Sequence, residues 1–166
     1  MKIEEKYWEG KQCLQNKVPW LVPGAIYALD SYLTKDDCVI EVGTGGSTLF
    51  YADRCGYVQA VETNEVWGTK VLHKAILENC LNMGYVVLKD FHEIKSYFEL
   101  DSSLVLVPVT VLSVDTEEGF NRSQVFEYLL CKHLHSLRII IIDNYAAESL
   151  WPDHYNWSAT DMIERL

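Results

Sequence analysis

The chain has 166 residues, 49% hydrophobic and 23% charged, and its 14 Lys and Arg against 24 Asp and Glu leave a net charge of −10. That length suits one domain with a single sizeable core, and the composition is globular, not disordered. The acidic balance opposes non-specific attachment to nucleic-acid phosphates, and apolar stretches such as 18–29 and 139–142 are too short to span a bilayer.

The first five residues lack the apolar core of a signal peptide. Five cysteines form no CxxC pair and leave one over from full pairing, which reads as a reduced, cytoplasmic protein. Aromatics at 12% suggest a cavity or an interface as well as a core. No internal repeat is present. Residues 1–22 read as an N-terminal arm and 23–166 as one α/β domain.

In chain order, Pro23 is well placed as a first helical residue, and Ile26, Leu29 and Leu33 recur at helical spacing, predicting a helix over 23–33. Apolar runs at 38–42, 57–61, 85–88, 109–114 and 138–142 then predict five strands. The segments 47–55, 64–82, 91–100 and 121–135 are long enough for helices between them. Strands alternating with helices imply a Rossmann-like, doubly wound parallel sheet covered on both faces, with strand order 3-2-1-4-5. Ligands in such sheets sit beyond the carboxyl ends of the strands.

The first strand ends Glu41-Val42-Gly43-Thr44-Gly45-Gly46-Ser47-Thr48. Glycines let the backbone turn and approach a ligand closely, and Ser47 or Thr48 suits a helix cap, whose N–H groups favour an anion or carboxylate. The second strand ends at Glu62, nineteen positions after Gly43, where a carboxylate accepts hydrogen bonds from ribose hydroxyls. The third ends Lys89-Asp90-Phe91, a carboxylate and a ring suited to an adenine edge and face. Three successive strand ends thus offer the parts of an adenosine site. A dinucleotide fingerprint wants a third glycine where Thr48 stands and has no acidic residue at the place of Glu41. Glu41 suits the ammonium of an amino-acid ligand.

The two stretches Glu-Val-Gly-Thr-Gly-Gly-Ser-Thr and Ala-Val-Glu-Thr-Asn-Glu-Val-Trp resemble the first two motifs of class I S-adenosylmethionine-dependent methyltransferases. Residues 18–26 resemble the lead-in of small bacterial members. The resemblance spans about 18–145 and is most specific over 39–67. It implies that Gly43 and Gly45, with Glu41, Thr44, Ser47 and Thr48 around them, line the methionine moiety, Glu62 the ribose, and Asp90 and Phe91 the adenine.

The last two strands carry the candidate chemistry, Asp115 after one and Asp143-Asn144 after the other. This is similar to metal-dependent catechol-type O-methyltransferases, in which two carboxylates and an amide oxygen hold Mg²⁺. Hard oxygen donors suit that ion. The expected lysine or histidine base is absent from 116–121, so Mg²⁺ is admitted but not favoured. The bland reading of Asp143 and Asn144 is a turn cap. Among the histidines, only His154 follows the fifth strand with aromatic neighbours, which makes Asp115, Asp143 and His154 the candidate bases. Tyr128 and Lys132 match a short-chain dehydrogenase pattern that helical spacing already explains. Arg122 suits an acidic substrate, but a solvated arginine is the simpler expectation.

The resemblance also implies an antiparallel hairpin after the fifth strand, and the 23 residues after Asp143 leave no room for it. The fifth strand is then expected at a sheet edge, inviting a homodimer, with the tail 151–166 as the alternative cover. These residues together predict a methyltransferase acting on a small-molecule acceptor at oxygen. The alternatives are a non-catalytic S-adenosylmethionine-binding protein and, third, a nicotinamide-dependent oxidoreductase.

Overall fold

A computed structural model of the chain describes residues 12–21, 23–100, 108–116 and 122–142. Five strands, β1 (Cys38–Val42), β2 (Tyr57–Glu62), β3 (Met83–Val87), β4 (Val111–Val114) and β5 (Ile139–Ile142), form one sheet in the order β3-β2-β1-β4-β5. Every pairing is parallel, as the alternation of apolar runs and helical segments predicts. Among the described residues six helices accompany them: α1 (Cys13–Asn16), α2 (Pro23–Tyr32), α3 (Gly46–Arg54), α4 (Glu65–Leu77), α5 (Phe91–Leu100) and α6 (Arg122–His133).

The strand alternation sorts the core into two faces. Val39, Val58, Ala60 and Val111 pack against Cys13, Ile26, Leu29, Phe50 and Tyr51, from α1, α2 and α3. Ile40, Val42, Val61, Leu112 and Val114 pack against Ile94 and Phe98 of α5 and Val125, Phe126 and Leu129 of α6. Each fully buried Val, Ile, Leu or Phe among them contributes about 1.5–3 kcal/mol, so burial on both faces is the main stabilising term. Cys13 and Val18 are part of this core, ahead of the first long helix. A Cβ on Gly46 would meet Val18 O at 2.2 Å, so α3 begins with its backbone directly against this leading segment.

Several boundaries differ from the sequence expectation, among them the start of β4 at Val111 instead of 109 and the end of α6 at His133 instead of 135, and two others have a plain cause. The helix expected over 64–82 stops at Leu77. Asn79 adopts a left-handed φ of 55°, Cys80 N–H bonds Ala75 O, and Asn79 N–H bonds Ile76 O. That is a Schellman stop, and asparagine tolerates its backbone geometry. The third strand starts at Met83, two residues early, because Met83 and Gly84 already pair with Val58 and Gln59.

At the amino ends of the strands, buried Asp37 accepts hydrogen bonds from Thr34 N–H (2.7 Å), Thr110 Oγ1 (2.7 Å) and the Arg138 guanidinium. This knot ties the start of β1 to the starts of β4 and β5, on the side of the sheet away from the glycine loop. No disulfide joins the five cysteines. Among the described residues no helix is long and apolar enough to cross a membrane.

Candidate functional site

Chain direction through the sheet reverses between β1 and β4, and the crevice at their carboxyl ends is the ligand position of such folds. Its floor is the turn from β1 into α3. Gly43 has φ +90°, and a Cβ there would meet Asp115 O at 1.6 Å, so only glycine lets the turn cross the end of β4. Gly43 N–H donates to Val61 O (2.9 Å) and Asp115 N–H to Val42 O (2.8 Å), which fix the turn to both neighbouring strands. Gly45 differs: a Cβ there meets nothing within 4 Å, so its side faces open space. Thr48, fully buried, accepts the Gly45 N–H at 3.0 Å and caps its own helix, while Ser47 lines the crevice.

Glu62 is 3% exposed at the end of β2. One oxygen accepts Thr44 N–H (2.8 Å) and Thr44 Oγ1–H (2.5 Å). The other accepts Thr63 N–H (2.8 Å) and Asn64 N–H (2.9 Å). A carboxylate has about four lone-pair sites, and all four are used. Trp67 Nε1 donates to Thr44 O at 2.6 Å, so the loop is held from both sides. Glu62 therefore serves the loop itself; a ribose would reach this carboxylate by replacing the Thr44 donors.

Glu41 is the opposite case. It is 1% exposed, and neither oxygen is matched by a hydrogen-bond donor in acceptable geometry among the described residues. Burial pushes its carboxyl up to about 8; the Ser47 and Thr48 hydroxyls oppose this, and the charges of Glu62 and Asp115 reinforce it. In register, Glu41 lies beside Ser113 of β4, and Ser113 beside Ile141 of β5. Fully buried Tyr51 of α3 donates to Ser113 Oγ at 3.3 Å, and burial followed by the Glu41 charge holds its phenol protonated.

Beside this row opens a small, partly open cleft lined by Pro19, Trp20, Leu21, Ser47, Tyr51, Ser113, Val114, Asp115 and Ile141. The lead-in 18–21 is thus one wall of the site. Asp115 stands at the cleft with its side chain 48% exposed and pairs with Arg122 Nη2 at 3.0 Å. The same nitrogen also donates to Thr116 O. Arg122 is only 15% exposed, which corrects the expectation of a solvated arginine: the ion pair and the carbonyl hold it against the end of β4.

Asp90 is exposed and accepts Glu93 N–H at 2.9 Å, capping α5. Phe91 packs edge-on against Tyr128 with centroids 6.0 Å apart. Both lie just after β3; Asp90 is partly spent on capping α5, and Phe91 on packing against α6. Asp143, Asn144 and His154 lie outside the described residues. Among the described residues no three His, Cys, Asp or Glu side chains gather as a metal site. Lys132 Nζ bonds Phe98 O at 2.7 Å, away from the crevice, so the dehydrogenase-like pair is a feature of α6 packing.

Nothing in the sequence alone marks Tyr51, Ser113 or Trp67 for the site. Period-two alternation places Ser113 and Asp115 on one face of β4, but the register that sets Ser113 beside Glu41 is a tertiary fact. Comparison of the chain with protein-family models, curated proteins and solved structures found no match.

Proposed function

We propose that the chain is a methyltransferase that binds S-adenosylmethionine at the ends of β1 to β3 and transfers its methyl to oxygen of a small-molecule acceptor in the adjoining cleft. The observation that carries this reading is Glu41, a buried carboxyl with no donor in acceptable geometry among the described residues, beside a glycine turn whose open side is Gly45. The motifs supply the rest. A ligand with an ammonium group, a thioether-sized chain and a ribose matches Glu41, the open side of Gly45 and Glu62 in that order along the crevice. S-adenosylmethionine, when bound, supplies an activated methyl on a sulfonium sulfur.

The chain's part is then to hold and align. Gly43 lets the turn cross the end of β4, and Gly45 admits the ligand close to the backbone. Glu62 exchanges the Thr44 donors for ribose hydroxyls. Tyr51 fixes Ser113 at the cleft floor, and Trp20 and Leu21 line its wall. Asp115 orients an acceptor hydroxyl by accepting its hydrogen bond, with Arg122 keeping the carboxylate in place. The homodimer belongs to the same proposal: β5 is the outermost strand on its side among the described residues.

A second reading, non-catalytic binding of the same ligand, is favoured by one observation: the Asp115–Arg122 pair occupies the carboxylate nearest the cleft. Thermal shift with S-adenosylhomocysteine and with NAD⁺ tests the ligand class, since a ligand that binds only the folded chain raises its melting temperature. Stabilisation by S-adenosylhomocysteine alone supports the proposal, and stabilisation by NAD⁺ alone refutes it. Release of S-adenosylhomocysteine from S-adenosylmethionine with an acceptor then separates the enzyme from the binder.

A further inference from the structure

The Tyr85 phenol is a buried polar group near the glycine turn with no part in the methyl transfer described above. β3 sets Tyr85 beside Ala60 of β2. Its Oη is buried and matched by no hydrogen bond in acceptable geometry among the described residues. A buried hydroxyl left unmatched is costly, and its neighbours show what it is kept for. A Cβ on Gly68 of α4 would meet Tyr85 Oη at 2.1 Å and Glu62 Cγ at 2.9 Å, so the phenol and the Glu62 side chain converge on one spot of that helix. Glycine is disfavoured inside a helix, and here it clears the space that the phenol fills. Burial pushes the phenol up to about 12, and the Thr44 hydroxyl opposes this, so the two hydroxyls stand within reach of each other.

In the free protein the Thr44 hydroxyl donates to Glu62, and three backbone N–H groups fill the other sites of that carboxylate. A ligand hydroxyl gains a site there only when one of these donors leaves. The N–H groups are held by the chain, whereas the hydroxyl leaves by a turn of the Thr44 side chain alone. Trp67 Nε1 holds Thr44 O at 2.6 Å, which keeps the backbone in place during that turn. Thr44 is buried, so its displaced hydroxyl needs a partner within the protein.

We propose that Tyr85 is a positioning residue for ligand capture: its Oη accepts the Thr44 hydroxyl when a ribose hydroxyl takes that hydroxyl's place on Glu62. This rests on the reading above that an S-adenosyl ligand binds with its ribose at Glu62. One O–H···O bond is exchanged for another, and no proton is transferred. The phenol then gains its partner only in the bound state. Removing it acts with opposite signs on the two states. The free protein loses an unmatched buried hydroxyl, which is neutral or stabilising, and the bound protein loses the acceptor for Thr44.

The test is a double-mutant cycle on the full chain, with wild type, Tyr85→Phe, Thr44→Ala and the variant carrying both changes. Each protein is melted without ligand and titrated calorimetrically with S-adenosylhomocysteine. Tyr85→Phe is expected to melt at or above the wild-type temperature and yet to bind about 3- to 10-fold more weakly. In the Thr44→Ala background the same change is expected to leave affinity within about twofold, because no hydroxyl has to be received. Unchanged affinity in Tyr85→Phe overturns the proposal and leaves the ligand reading standing. Equal weakening in both backgrounds also overturns it, since the phenol then acts without Thr44. A free Tyr85→Phe protein that melts below wild type overturns it too, because the phenol is then partnered before any ligand arrives. Absence of S-adenosylhomocysteine binding by wild type overturns the ligand reading and this proposal together.

Discussion

Glu62 accepts both the backbone N–H and the hydroxyl of Thr44, at 2.8 and 2.5 Å, across the mouth of the glycine turn. The residue that the motif marks for a ribose is therefore also the latch of its own loop. A ligand that engages Glu62 competes with Thr44, and the two roles separate by substitution.

Thr44→Ala removes the hydroxyl donor and keeps the backbone one. It should cost about 1 kcal/mol of stability. S-adenosylhomocysteine should bind at least as well as to wild type, because one Glu62 site is vacated. Glu62→Ala should lose about 2–4 kcal/mol, as four loop donors lose their acceptor, and binding should weaken at least tenfold. Chemical denaturation and titration of both variants check this. Weakening by Thr44→Ala as severe as by Glu62→Ala would show that Thr44 is needed for the ligand and does not compete with it.

Gly43 and Gly45 should respond in opposite ways. Gly43→Ala forces a Cβ onto Asp115 O in a left-handed conformation and should destabilise by about 3 kcal/mol or more, roughly 6–12 °C in melting temperature. Gly45→Val points its side chain into open space, so its melting temperature should stay near wild type while ligand binding is lost. Thermal melts with and without S-adenosylhomocysteine distinguish the two.

Glu41 should make the free protein less stable as pH rises. Its folded value, about 8, lies above the ordinary 4.5, so the folded state holds the proton more tightly than the unfolded one. The stabilisation is fully present below pH 4.5 and is lost as pH rises through 8. Melts across that window should show a decline in wild type that is smaller in Glu41→Gln. Parallel declines would place the effect elsewhere.

Asp37 should act with the opposite sign. Burial alone would raise its carboxyl, but bonds from Arg138, Thr110 and Thr34 outweigh burial and hold it below the usual range. Its contribution is present above the unfolded value and lost as pH falls through the folded one. Asp37→Asn should cost about 2–4 kcal/mol at pH 7, less than a fully buried pair because Arg138 is 42% exposed. Acid titration of the variant should show a shallower loss than wild type.

The fold was largely legible because each strand of this sheet is a short apolar run and each crossover carries helical spacing or a cap. β1 illustrates it: five buried residues from Cys38 to Val42, ended by a glycine that no other residue could replace. Boundaries drifted where the deciding contact was not local, as at Met83, whose strand pairing comes from Val58. In the site, residue types at strand ends pointed to the crevice, but their partners did not follow from spacing. That Glu62 is saturated while Glu41 is not depends on where Thr44 and Thr48 turn their hydroxyls. That Asp115 is paired depends on the first residue of α6 reaching back to β4. Such facts need the packed structure.

The most direct measurement is calorimetric titration of wild type and Gly45→Val with S-adenosylhomocysteine at one pH and salt concentration. Saturable binding of one ligand per chain to wild type, lost in a Gly45→Val variant that melts normally, is the expected result. Failure of wild type to bind, or equal binding by both proteins, would contradict an S-adenosyl site at the β1–α3 turn.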